Sequence, residues 1–328
     1  MNSIVITSIF EPTEAVRKFS QIDKGSMYVV GDKKSPTDWF CPNVEFISVK
    51  MQEESDFFLK ESLPYNHYCR KMLGYLWAMR DGATTIVETD DDNIPYDTWQ
   101  FLPFEGSFKT TKEDEGFINI YQYYTDQKIW PRGLPLRNIN DDNSWIKDVA
   151  EKEVKIGIWQ GLADEDPDVD AIYRLTDGRP CFFEKKESIV LGKNTLTPFN
   201  TQNTFIRKEL FPLMYLPTYV TFRYTDILRG LIAQPIMWSH DYLLGITSAT
   251  VIQKRNQHDF YKDFLSEIPM YETTEKVIDL VSRVASSRFS ISDNLHNAYE
   301  SLLNANIVEK AELININAWL KDLENITR

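Results

Sequence analysis

No run of this chain approaches the ~20 consecutive apolar residues that cross a bilayer. No basic leader precedes the short Ile4–Phe10 run, which meets Glu11-Pro12 at once. The expectation is a cytoplasmic protein, reaching a membrane only through a partner. Cysteine is scarce: Cys41, Cys69 and Cys181 are too few and too scattered for a disulfide framework or a zinc site, and a reducing compartment fits. Positive charge is also short, with 36 Lys and Arg against 49 Asp and Glu and a formal charge of −13. That balance excludes a non-specific nucleic-acid binder, which needs a basic face, but not a local basic pocket. Glycine-rich phosphate loops are missing too, with neither GxGxxG nor GxxxxGK[ST] present. If phosphate binds, a metal and basic side chains must hold it.

What the chain does have is the content of a globular protein: 42% hydrophobic and 26% charged residues over 328 positions, enough for one large or two ordinary domains. Its chemistry centres on Thr84-Thr85-Ile86-Val87-Glu88-Thr89-Asp90-Asp91-Asp92-Asn93. The β-branched run reads as a buried strand, and it empties into three carboxylates followed by Asn93 and Pro95, which turn the chain. Three adjacent acids repel unless a cation shares the site, and hard cations such as Mg2+ and Mn2+ prefer carboxylate oxygen and bridge to diphosphates. In an open α/β sheet, ligands bind beyond the carboxyl ends of the strands, where this triplet falls. Asp90-x-Asp92 is therefore a candidate metal–diphosphate clamp. The plainer reading is an acidic turn: Asp141-Asp142-Asn143 repeats the string with no strand before it.

Around this stretch, Ser3–Ile9, Met27–Val30 and Asn43–Val49 read as strands, with a helix from Pro12 to about Phe19. Helices are expected at Ser55–Leu59 and Leu63–Arg80. In the second, Tyr68, Met72, Leu76 and Met79 repeat at helical spacing and Gly82 supplies the cap. Alternating strands and helices predict a mostly parallel sheet with right-handed crossovers. Further along, Phe117–Tyr124 reads as a strand, Asn138–Val154 as a polar insert and Gly161–Asp170 as a solvated acidic loop in which Asp168-Val169-Asp170 could hold sugar hydroxyls. The Thr and Asn residues of Leu196–Phe205 could line a sugar pocket. Two prolines and a glycine fix Arg132 in Trp130-Pro131-Arg132-Gly133-Leu134-Pro135-Leu136, where its planar fork suits phosphate or a surface turn equally. Arg223 to Gly230 opens a helix with Asp226 near its start, either a cap or a base for an acceptor hydroxyl. His240 and His258 are the late histidines available to a metal shell. After about Tyr261 the pattern is helical to the end.

These pieces together resemble the STELLO family of glycosyltransferases. The carrying residues are Gly31-Asp32-Lys33-Lys34-Ser35-Pro36-Thr37-Asp38-Trp39, Leu63-Pro64-Tyr65, Arg70-Lys71-Met72-Leu73-Gly74-Tyr75-Leu76-Trp77-Ala78, Asp90-Asp91-Asp92, the Trp130–Leu136 loop, Pro167-Asp168-Val169-Asp170 and Asp226-Ile227-Leu228-Arg229-Gly230. They keep their order over about residues 3–258. More distantly the skeleton is similar to the reversibly glycosylated polypeptides, plant UDP-arabinopyranose mutases. The resemblance implies an α/β, GT-A-like nucleotide-diphospho-sugar-binding fold over 1–258, with a C-terminal helical segment over 259–328. It implies Asp32 near the base or ribose, Arg70 facing the diphosphate and Asp90 to Asp92 on the metal, while Arg132 matches the sugar-carrying position of the mutases and Asp226 lies on the acceptor side. The resulting candidate set is Asp226 and Arg132 as catalytic residues, Thr7, Asp32, Arg70, Asp90, Asp91, Asp170, Asn203 and Arg229 around the donor, and Asp90, Asp92 and His258 on Mn2+ or Mg2+. The expected activity is glycosyl transfer from a nucleotide sugar, UDP-linked, to an unknown glycan, lipid-linked or small-molecule acceptor. A pyranose–furanose mutase and a non-catalytic partner protein are the alternatives, and the late helices offer a homo-oligomer interface.

Overall fold

The computed structural model describes residues 1–23, 25–142, 144–255 and 259–327. The first third follows the sequence pattern. Strands β1 (Asn2–Thr7), β2 (Gly25–Val30), β3 (Glu45–Ile47) and β4 (Thr85–Thr89) pair in parallel in the order β3-β2-β1-β4. Helices α1 (Glu14–Phe19), α2 (Val49–Glu54) and α3 (Lys71–Arg80) connect them. Side chains alternate across the sheet as the pleat requires. Val5, Tyr28, Val30 and Ile86 enter one core, beneath α3, whereas Ile4, Ile6, Met27, Val29 and Val87 enter the other, with Val16 and Phe19 of α1. Gly74 lets α3 lie directly on the sheet: a Cβ there would come within 2.5 Å of Val30 and 2.6 Å of Val5. Gly82 follows that helix at φ +87°, the capping role expected of it. The helix is shorter than the expected Leu63–Arg80, because Pro64 and Asn66 (φ 55°) keep the preceding segment out of helical geometry. The helix expected at Ser55–Leu59 is displaced to α2 on one side and a 3-10 turn at Leu59–Glu61 on the other.

Beyond residue 90 the sheet is mixed rather than mostly parallel. From there to residue 207 the connections carry the short helices α4 (Tyr121–Tyr124) and α5 (Ala171–Thr176), too short to cross the sheet, so strands return beside one another in both directions. Here lie β5 (Asn93–Pro95), β6 (Glu105–Thr110), β8 (Ala150–Asp164), β9 (Ile189–Leu191), β11 (Asn203–Arg207) and β12 (Leu243–Gln253), while β7 (Gly116–Phe117) and β10 (Thr195–Leu196) pair in parallel as a separate two-stranded sheet. Antiparallel β11 joins β4 to β8; β12 runs parallel to β8 and antiparallel to β5 and β9. The first half of β8 takes β6, and β9 joins β6 to β12, so β8, β6, β9 and β12 close into a ring. The 15-residue strand β8 thus takes over the end of the expected polar insert, from Ala150, and the start of the expected acidic loop, to Asp164. Its early residues are exposed, while Asp164 at its end is buried and accepts hydrogen bonds from the Tyr96 hydroxyl (2.8 Å) and the Phe183 N–H (2.8 Å). The strand expected over Phe117–Tyr124 is only the end of β7, followed by the single turn of α4.

Helix α6 (Thr225–Trp238) is buried along its whole length, and α7 (Phe260–Val284), α8 (Ile291–Asn304) and α9 (Lys310–Thr327) supply the expected C-terminal helices. Their Val277, Val281, Leu295, Tyr299, Leu302, Ile316 and Trp319 share one core with the sheet. Buried carboxylates tie them down further. Glu312 accepts from the Tyr215 hydroxyl and from the N–H groups of Thr218 and Tyr219, each at 2.8 Å, and Asp322 accepts from those of Phe58 (2.8 Å) and Leu59 (2.9 Å). Among the described residues no helix is long and apolar enough to cross a membrane.

Candidate active site

Strands β1 and β4 end side by side, and the cleft beyond their carboxyl ends has two connected lobes that share Thr7, Tyr68, Asp91 and Phe222. The first lobe, about 230 Å3, is lined by the whole acidic triplet on one side and by Arg132, Asp168, Arg223, Asp226 and Arg255 on the other. The second, about 240 Å3, is bounded by Asp32, Lys34, His67 and Arg70, with the half-exposed rings of Phe10 and Phe222 at its mouth. Strand β4 delivers the acids here because Ile86 and Val87 anchor it in both cores while Asp90 to Asp92 pass beyond its last rung.

The three acids are not equivalent. The Lys71 ammonium, itself fully buried, lies 2.8 Å from Asp90 Oδ1 and donates also to the Thr89 carbonyl (2.9 Å). Asp91 is turned toward β1: its Oδ2 accepts from the Ser8 hydroxyl at 2.5 Å, and its carbonyl from the Thr13 hydroxyl at 2.6 Å. Among the described residues the Asp92 carboxylate meets the Gln253 amide, at 3.3 and 3.5 Å, and burial together with the neighbouring Asp90 pushes its carboxyl up to about 7. A carboxylate in that condition is one a cation would relieve. Among the described residues no group of three or more His, Cys, Asp or Glu side chains forms a preformed cage. The donor set that fits is therefore two carboxylates, Asp90 and Asp92, sufficient for Mg2+ or Mn2+ when phosphate oxygens complete the shell. His258 lies outside the described residues. His240 is far from this set, at the end of α6, where its Nε2 meets the Phe289 carbonyl at 3.0 Å.

Opposite the triplet, Arg132 is held between two carboxylates. Its Nε and Nη2 donate to Asp168 at 2.8 Å each, and its Nη1 and Nη2 to Asp226 at 3.0 and 2.9 Å. The remaining Nη1 hydrogen bonds the Arg223 carbonyl. All five donors of the guanidinium are used, which leaves no N–H to carry a sugar. Burial opposes both charges, yet the pairing wins: Arg132 is held above the usual arginine range, and the guanidinium keeps the Asp168 carboxyl well below the usual carboxylate range. Asp226 is not the cap of α6; it stands in the first turn, and its carboxylate takes the Arg132 fork and the Ile227 N–H (3.1 Å).

Of the other expected ligands, Thr7, Asp32, Arg70, Asp90 and Asp91 line the cleft. Asp32 accepts from the N–H groups of Lys33 (2.7 Å) and His67 (3.3 Å). Arg70 already spends Nε on Gln52 (2.7 Å) and Nη1 on the Leu63 carbonyl (3.1 Å), and stacks over Tyr65. Three residues stand behind the wall instead. Asp170 is fully buried, caps α5 through the Tyr173 N–H (2.9 Å) and accepts from Trp130 Nε1 (2.7 Å). Asn203 Nδ2 donates to Thr250 Oγ1 at 2.7 Å. Arg229 pairs with the buried Glu88 at 2.5 Å and donates to the Asn200 carbonyl at 3.0 Å, tying α6 to β4. Asp168, which the sequence offers as a holder of sugar hydroxyls, lines the cleft; Lys71, Arg223, Gln253 and Arg255 are not among the expected ligands, though Lys71 in an otherwise apolar helical stripe is a signal.

This geometry stands beside two curated relatives in Arabidopsis thaliana. The protein named probable glycosyltransferase STELLO2 is 25% identical over 346 residues, covering 98% of this chain and 44% of its own length. Probable glycosyltransferase STELLO1 is 24% identical over 339 residues, with the same two shares. Residues 223–327 match the family model described as STELLO glycosyltransferases. The chain is STELLO-like. It spans less than half of each STELLO relative, at 44%. The family model begins at Arg223, takes in Asp226 and Arg255 of the cleft, and runs through α6, β12 and the helices to the end of α9.

Proposed function

We propose that this chain is a metal-dependent glycosyltransferase of GT-A-like fold, taking a UDP-linked nucleotide-diphospho-sugar. The observation that carries the reading is one cleft in which Asp90 and Asp92, at the end of β4, face a wall of arginines and carboxylates. The names of the STELLO relatives support it. Asp32 and the rings of the second lobe suit a nucleoside, which places the diphosphate over the triplet and the sugar toward Asp168 and Asp226. Mg2+ or Mn2+ on Asp90 and Asp92 would offset charge on the leaving diphosphate. In transfer, the acceptor oxygen bonds to the anomeric carbon as the bond from that carbon to the diphosphate oxygen breaks. The diphosphate leaves with the electron pair, and the acceptor proton passes to the Asp226 carboxylate. Arg132 holds Asp226 and Asp168 in place, a positioning role rather than a sugar carrier. Lys71 keeps Asp90 aimed.

Asp92→Asn and Asp226→Asn test this directly. Each is expected to lower transfer or hydrolysis of UDP-sugars by about 100-fold or more, the usual loss of an acid–base or charge-stabilising group. Full activity in both folded variants would overturn the reading.

A further inference from the structure

Arg132, Arg223 and Arg255 line the wall opposite the acidic triplet, with Arg174 near Arg255, and one of the four differs from the rest. Arg132, Arg174 and Arg223 each reach a carboxylate closely, at 2.8 Å (Asp168), 2.5 Å (Asp166) and 2.9 Å (Glu267). Among the described residues Arg255 comes no nearer to a carboxylate than 3.4 Å, from its Nε to Asp166, which Arg174 already holds. Its side chain is only one-tenth exposed, and among the described residues neither its Nε nor its Nη1 makes a hydrogen bond. An arginine fork buried with donors unspent is costly unless something occupies it. Arg255 lines the first lobe together with Arg223 and Asp92.

The backbone fixes Arg255 against the triplet. Strand β12 ends antiparallel to β5 with Gln253 opposite Asn93, and the Lys254 N–H then donates to the Asp92 carbonyl at 3.0 Å. The guanidinium is thus carried one residue beyond a rung shared with Asp92 itself. We propose that Arg255, backed by Arg223, is the fork that binds the diphosphate of the donor, opposite the cation-binding carboxylates. The inference rests on the nucleotide-sugar reading for the source of the diphosphate, but not for the anion site. Planar bidentate geometry suits phosphate oxygens. Burial and the neighbouring Arg174 and Arg223 already draw the Arg255 guanidinium down to about 10, a strain that an incoming anion would reverse.

Inorganic pyrophosphate is the probe, titrated into the full chain in EDTA and followed by calorimetry and melting temperature, for wild type, Arg255→Met and Arg255→Lys. Wild type is expected to bind without metal, Arg255→Met to bind about tenfold or more weakly, and Arg255→Lys to fall between. Without anion, Arg255→Met is expected to melt no lower than wild type, since it removes unspent buried donors; a purely structural arginine would give a clear fall. Equal affinity in Arg255→Met, no metal-free binding by wild type, or a melting temperature several degrees down would each overturn the proposal. UDP competing with pyrophosphate supports the donor assignment. Simultaneous binding of both overturns it in favour of an acceptor phosphate. Failure of the nucleotide-sugar reading looks different: pyrophosphate binding that depends on Arg255, with no response to any nucleoside diphosphate.

Discussion

Arg132 shows how one side chain decides between two chemistries. Its partners lie 36 and 94 positions away in sequence, so nothing in the Pro-Arg-Gly-Leu-Pro loop disclosed them, although the loop did mark the residue as fixed. Arg132→Ala would strip Asp226 of its paired guanidinium and leave Asp168 facing the more distant Arg223, at 4.0 Å. Urea unfolding should show a loss of about 3–5 kcal/mol, where a free sugar-carrying arginine would be nearly neutral. Arg132→Lys should recover only part of it, because an ammonium cannot span two carboxylates. Asp170 was legible as an acid in a motif but not as a buried one. Burial pushes its carboxyl up to about 6. Between pH 4 and 6 the folded chain then holds a proton that the unfolded chain has released, so this group's contribution to stability is present at the acid end and lost as pH rises, by about 1.4 kcal/mol per unit. Asp170→Asn should remove that slope from unfolding curves measured across the window and leave pyrophosphate affinity unchanged.

At the level of elements, periodicity was a good guide wherever one face is buried and poor wherever pairing alone makes the strand. The run before the triplet and the late helices were plain. Strand β8 was not, because Glu151, Lys152, Glu153 and Lys155 lie on its exposed half and the ladder to β6 holds it. The helix α3 stripe was read correctly, and its Gly74 sets a packing distance that no spacing rule conveys. Gly74→Ala should cost about 1–3 kcal/mol by overpacking against Val5 and Val30, read as a fall in urea midpoint at unchanged slope. Helix α9 is a part of the core. A chain ending at residue 309 loses Glu312, Trp319 and Asp322, and with them acceptors for four backbone N–H groups of the body. It should lose its cooperative melting transition; a transition within a few degrees of the full chain would contradict that.

On the scale of the whole molecule, the cleft brings together residues from β1, β4, α6, the Arg132 loop and the end of β12, spread over nearly 250 positions. The acidic half was legible because three of its members are adjacent in sequence. Of the basic half Arg132 was legible in its loop, whereas Arg255 was not, because it reaches the cleft only when β12 returns beside β5. The two halves make a joint expectation: UDP with Mn2+, at ~100 times its Kd, should stabilise the chain by about 2.7 kcal/mol, and Asp92→Asn should abolish the part of that gain that requires Mn2+. No rise in melting temperature with any nucleoside diphosphate would set aside the donor.

The ten-stranded sheet ends on β3 at one side and β5 at the other, each three residues long, and β5 finishes on Pro95, which has no N–H. Among the described residues these outermost strands offer a neighbouring copy almost no rungs to extend, and the ring of β8, β6, β9 and β12 keeps its own strands paired. Concentrated solutions of the folded chain should therefore resist aggregation through the edges of this sheet.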